Sequence, residues 1–302
     1  MFHHFHDDDC HAPSQGSISA DQLRRLIEDQ GPERFLSPRD WVDRSIDGTL
    51  LPQDLCITFD DALRAQYDIA RPVLKEFGIT AFWFVYSSVF HGVPAQLEIY
   101  RHFRMTHFDA IDDFYDAFYE KASDLGHLSK IELKLKGFVA DEYLTAHPYY
   151  STSDRKFRFV RDEVLGDVNY NEIMDAMISS VGIDERSLMS LLWMDDTCLQ
   201  DLHADGHIIG LHSYTHPTKL EYLPPDQQRE EYTRNKAHLE GLLHEPVEAV
   251  AHPCNSYSND TLKILEELGV KIGFRSNMRE HSNGPLEMPR EDHSNLIGGA
   301  SG

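Results

Sequence analysis

The segment LCITFDD, residues 55–61, is apolar for most of its length and then stops abruptly at two carboxylates. That pattern predicts a buried parallel strand whose C-terminal end opens into a polar site. Tyr67, Ala70, Val73, Leu74 and Phe77 follow at helical spacing, with Gly78 as the stop. ITAFWFVYSS, residues 79–88, reads as a second strand, so strand, helix and strand predict a parallel unit. The same grammar returns late in the chain. DLHADGHIIGLHS gives a helix end, a glycine turn and a short strand at 208–211, and PVEAVAHPCNSYS, NDTLKILEELG and VKIGFRS spell strand, helix and strand again. Near the start, Leu23, Leu26 and Ile27 between Ser19 and Gly31 mark a short capped helix, and the aromatic-rich residues 1–6 read as a first strand with His4 and His6 on one face.

From about residue 91 to 192 the period changes. Phe108, Ile111, Phe114, Tyr115 and Phe118 recur at intervals of three and four, as do Ile173, Met177 and Val181, and nothing between them reads as a barrel strand. This stretch is expected to be a largely helical insertion or cap within a single domain spanning 1–302. Its aromatic stripes are expected to be core, with a lid that limits substrate length as the functional alternative.

The chain has 302 residues, 41% hydrophobic and 26% charged, which suits a folded α/β enzyme. Its formal charge of -23 would repel a nucleic-acid backbone, so no nucleic-acid partner is expected. Cys10, Cys56, Cys198 and Cys254 form no CxxC pair and read as thiols in a reducing compartment. The opening MFHHFHDDDC does not resemble a secretory signal, and no apolar run is long enough to span a bilayer, so a cytoplasmic location is expected. The oligomeric state is not legible.

The strongest chemical signal is HSYTH, residues 212–216, directly after the IIGL strand. Alone, such a pair reads as surface or capping histidines. Two imidazoles four residues apart meet one metal if the backbone between them makes a helical turn, and a catalytic zinc needs about three protein ligands. Asp60 and Asp61 supply the missing carboxylate with one to spare, the spare being free to take a proton from water acidified by the ion. There is no glycine-rich phosphate fingerprint.

TFDD at 58–61, HSYTH at 212–216 with its approach ADGHIIGL, and AHPCNSYSNDTLKILEELGVKIGFRS at 251–276 together resemble the polysaccharide deacetylase family, the NodB-homology carbohydrate esterases. The likeness covers about 50–90 and 195–293, with a weaker echo in FHHF. It implies a distorted (β/α) barrel of about seven strands and metal-dependent removal of N-acyl groups from sugars. It further implies Asp60 as base, Asp61, His212 and His216 as ligands of Zn2+ or another divalent ion, and His252, Pro253, Cys254 and Asn255 as one wall of the acyl pocket. A late histidine that protonates the leaving amine is assigned to His293, helped by Arg290 or Asp292, with His252 as the alternative; His4 is a further candidate beside the metal. Ala62 and Asn255 stand where the family usually has glycine. The expected substrate is an N-acylated sugar, nucleotide sugar or short glycan. A metal-dependent amidohydrolase acting on a non-sugar amide, and a catalytically inactive metal-stabilised carbohydrate-binding or scaffold domain, are the competing readings.

Overall fold

The computed structural model describes residues 1–145, 150–279 and 284–297, so residues 146–149 of the expected insertion and 280–283 of the family-like stretch lie outside the described residues. Met1–Ala95 together with Arg186–Gly302 form one compact unit, and Gln96–Glu185 form a second.

The first unit is built on five parallel strands: β1 (Thr58–Asp60), β2 (Phe82–Val85), β3 (Ile208–Leu211), β4 (Ala249–Ala251) and β5 (Ile272–Phe274), adjacent in that order. Asp60 pairs with Phe84 and Val250 with Gly273, so the C-terminal strand ends are brought side by side. Almost every strand residue is buried, because both faces are covered. Alternation sorts them: Phe82, Phe84, Ala249, Ala251, Ile272 and Phe274 face one cluster with Trp41, whereas Phe59, Trp83, Val85 and Val250 face the larger cluster under the helices. Gly210 makes room on the first face, since a Cβ there would lie 2.6 Å from the Phe84 ring.

The expected seven-stranded barrel is therefore corrected to a parallel sheet of five strands, with β1 and β5 at its two edges, among the described residues. Both outer segments exist but make single bridges, Phe2 to Phe59 and Met288 to Phe274. At the first edge the chain leaves after one residue, because His4 and His6 exchange backbone hydrogen bonds with Ile18 instead. At the other edge Met288 is followed by Pro289, which has no N–H to continue a ladder. The two edge segments meet each other, with the His293 amide donating to the Met1 carbonyl.

The helices follow local signals. Ala20–Gln30 is held by a capping box between Ser19 and Gln22 and buries Leu23, Leu26 and Ile27. Pro38–Ile46, which periodicity does not reveal, is capped by Ser37 and places Trp41 against Phe82 and Phe274. The second unit contains helices Gln96–Thr106, Ile111–Asp124, Leu128–Leu135, Thr152–Phe159 and Gly166–Ser180, and no strand among its described residues. Phe103, Phe114, Phe118, Phe157 and Ile173 form its buried interior, and Tyr100 and Tyr115 hydrogen-bond Asp175 and Asp154. No described helix is long and apolar enough to cross a membrane.

Candidate metal centre

Asp61 sits at the turn after β1, where Asp61 and Ala62 both adopt left-handed backbone (φ 78° and 55°). Those angles explain why glycine would be at ease at Ala62. The turn is fixed because the Asp61 amide donates to the Phe84 carbonyl and the Met194 amide to that of Ala62. His212 and His216 leave β3 in a loop rather than the expected helical turn: Ser213 and His216 are left-handed (φ 64° and 57°). This loop still converges the imidazoles. Asp61 Oδ1 lies 3.4 Å from His212 Nε2 and 3.3 Å from His216 Nε2, and one ligand atom from each residue falls within 4.8 Å of the others.

The convergence fits a divalent ion on its own chemistry. Asp61 Oδ1 is buried without a hydrogen-bond partner, a costly state that a cation between the three side chains would relieve. His212 directs Nδ1 at the Ala251 carbonyl, 2.8 Å away, which fixes the tautomer and turns Nε2 toward the site. One carboxylate oxygen and two imidazole nitrogens suit zinc and related divalent metals. Burial pushes the His216 imidazole down toward its neutral form, while at His212 the charges of Asp61 and Asp60 outweigh burial and hold the value up.

Asp60 is buried and bound by Arg290 through two guanidinium hydrogen bonds of 2.7 and 2.8 Å. Burial alone would raise its carboxyl, but Arg290, His212 and His3 prevail and hold it at about 2. It is an ionised acceptor at neutral pH. Arg290 is itself anchored on the Arg275 carbonyl and the Thr58 hydroxyl.

The other expected residues separate. His293 is buried, with its ring nitrogens 3.3 and 3.0 Å from the carbonyls of Met1 and Gly16 and its face stacked on Phe2. Both nitrogens are engaged by backbone, and Asp292 lies 3.5 Å from the ring, so this group closes the seam between the edge segments. His252 is buried against Tyr257 with Nε2 on the Leu286 carbonyl and Nδ1 unpartnered, and burial pushes it down to about 4. Pro253 is buried, Cys254 is exposed in a left-handed conformation, and Asn255 accepts the Ser276 amide. Although the residue reaches the surface, crowding by the protein around its thiol, together with the nearby charges of Asp61 and Asp60, pushes that thiol up to about 12, which keeps it protonated.

The imidazole beside Asp60 is that of His3, not His4. His3 Nε2 lies 3.7 Å from Asp60 Oδ2, and buried Gln66 pins the backbone there by donating to the carbonyls of both His3 and Asp60. His4 instead contributes its carbonyl to the bridge with Ile18. Sequence reasoning favoured His4 because it read strand alternation through residues 1–6, whereas the segment makes only a single bridge to β1, at Phe2, and the alternation is not carried to His3 and His4.

A carboxylate and two imidazoles at the ends of parallel strands, beside a second carboxylate held by arginine, make a metal-ligating site of hydrolytic type. The chain belongs to the polysaccharide deacetylase family, whose model matches residues 110–273. No curated protein matches the chain. Among solved structures it is similar to the Streptococcus pyogenes deacetylase PplD in complex with acetate, at 18% identity and TM-score 0.54 over 98% of this chain and 94% of that one. It is also similar to a de-N-acetylase from Aggregatibacter actinomycetemcomitans (12%, TM-score 0.55, 96% and 92% covered) and to the BpsB deacetylase domain from Bordetella bronchiseptica (14%, TM-score 0.51, 96% and 92%). At these identities the likeness establishes the fold.

Proposed function

We propose that this protein is a metal-dependent hydrolase that removes the N-acetyl group of an amino sugar, with zinc as the ion held by Asp61, His212 and His216. The observation that carries the reading is the pairing of a convergent ligand set, its Asp61 oxygen buried and unpartnered, with a separate carboxylate at the next residue, ionised and fixed by Arg290. A divalent ion bound there supplies a Lewis acid for the acyl carbonyl and acidifies water.

Asp60 accepts the proton of the attacking water. A carboxylate held this low is a weak base, so it needs an acidified water; in return Arg290 keeps it ionised and fixes its orientation. His3, within reach of Asp60, delivers a proton to the departing amine, so the two groups pass one proton across the cleavage. Cys254 and Asn255, at the end of β4, wall the acyl pocket. Family membership supports a carbohydrate substrate, and the acetate in the Streptococcus pyogenes structure supports acetyl as the acyl group.

The test is direct. Chelator-stripped protein should lose activity on N-acetylated monosaccharides, nucleotide sugars and short oligosaccharides, and one equivalent of zinc should restore it. His212→Ala and His216→Ala should each lower metal content measured by elemental analysis. Hydrolysis of non-sugar amides only would refute the sugar assignment, and full activity without metal would refute the mechanism.

A further inference from the structure

The HSYTH loop carries two left-handed non-glycine residues, Ser213 and His216, and its amides find little backbone to pair with. Side chains take them instead. The His212 amide donates to Asn235 Oδ1 at 2.9 Å, and the Tyr214 and Thr215 amides both donate to Glu231 Oε2 at 2.9 and 2.8 Å. The Thr215 hydroxyl donates to Glu231 Oε1 at 2.8 Å, and the His216 amide to Ser213 Oγ at 3.1 Å. Glu231 and Asn235 stand one helical turn apart on the Pro225–Leu243 helix, with the Arg234 guanidinium 3.6 Å over the Tyr214 ring.

Asn235 is fully buried, and its orientation is dictated from behind. Its amide nitrogen donates to the Val85 carbonyl and to Ser87 Oγ; Ser87 Oγ meets His238 Nδ1 at 2.8 Å, and His238 Nε2 meets Asp196 Oδ1 at 3.2 Å. Serine, histidine and aspartate in this order suggest a nucleophile. Ser87, however, is fully buried with its oxygen already bonded to Asn235, so the row acts as a brace. It forces the carbonyl end of Asn235 toward the His212 amide.

We propose that Glu231 and Asn235 are positioning residues that set the bite of the His212–His216 chelate, and so govern how long the loop retains a divalent ion. The proposal rests on the metal reading above. A loop with left-handed residues and unpaired amides would relax, and the two Nε2 atoms would no longer converge on Asp61. Partners behind a metal ligand commonly change affinity by about 10–100-fold.

The experiment measures zinc release into a chromophoric chelator and the visible spectrum of the cobalt-substituted protein, so turnover is not needed as a readout. Glu231→Leu and Asn235→Leu should each raise the release rate by about 10–100-fold and alter the cobalt spectrum. Glu231→Gln, whose amide oxygen still accepts both amides, should restore near-native release. Should the leucine variants fail to fold, Glu231→Asp keeps the charge but withdraws the carboxylate, and it should still raise release several-fold. Native release rates and cobalt spectra in folded Glu231→Leu or Glu231→Asp protein would overturn the clamp. A native protein that binds neither zinc nor cobalt would overturn the metal reading, and the clamp with it.

Discussion

Arg290 grips Asp60 through two nitrogens, at 2.7 and 2.8 Å, across 230 residues of sequence. The pair is buried, so removing one member leaves an uncompensated charge, which commonly costs about 3–5 kcal/mol. Asp60→Asn keeps the shape and leaves the three proposed ligands untouched. It should retain metal by elemental analysis and lower kcat by about 100-fold or more. Loss of metal, with activity recovered in excess zinc, would exchange the roles of Asp60 and Asp61.

His3 and His4 are separated by the chemistry they should affect. His3→Gln should lower kcat on an N-acetyl sugar by about 100-fold while metal content is unchanged, and His4→Gln should have little effect. An aryl acetate has a leaving group that needs no proton, so His3→Gln should hydrolyse it at close to the native rate. Equal losses on amide and aryl ester would remove His3 from the acid role.

Acid sensitivity should trace in part to His207, far from the catalytic chemistry. It is buried immediately before β3 with Nδ1 accepting the Ala81 amide, and burial pushes it down to about 4. Between pH 4 and 6.5 the unfolded chain binds a proton that the folded chain refuses, so stability rises with pH through that window and is lost as pH falls. A shift of this size corresponds to roughly 3 kcal/mol at most. His207→Asn, which retains an acceptor for Ala81, should flatten the pH dependence of urea denaturation between those limits; an unchanged slope would assign acid sensitivity elsewhere.

Gly210 tests the packing of the sheet. Its Cβ would stand 2.6 Å from the Phe84 ring and 3.0 Å from the Ala249 carbonyl, so Gly210→Ala should destabilise the protein by about 1–3 kcal/mol in denaturant titrations. A loss below about 0.5 kcal/mol would mean that Phe84 yields more readily than a closed core allows.

The chemistry in this sequence is legible where local grammar carries it. Apolar strands that stop at Asp60 and Asp61 and before His212 announce their strand ends, and the structure brings Asp61, His212 and His216 together. What depends on distant pairing is not legible. Asp60 finds Arg290 only once the sheet is assembled, so sequence reasoning attached Arg290 to its neighbour His293. The strand count failed for the same reason: whether Phe2 and Met288 continue a ladder depends on Ile18 and on Pro289. Glu231 and Asn235 look like the solvated face of a charged helix until the loop they hold is known to lack backbone partners. The available signal was weak: two uncharged amides, Gln228 and Asn235, in a helix rich in charge, both of which prove to be buried.

The order in which these groups lie along the polypeptide has a consequence for truncation. Asp61, His212 and His216 all precede residue 217, whereas the arginine that anchors Asp60 comes more than seventy residues later. A chain truncated before residue 290 would thus carry every proposed chelating side chain, together with Glu231, Asn235 and Ala251 behind them, yet lack the guanidinium that fixes Asp60, so the holding of the ligands and the tethering of the base depend on separate stretches of the polypeptide.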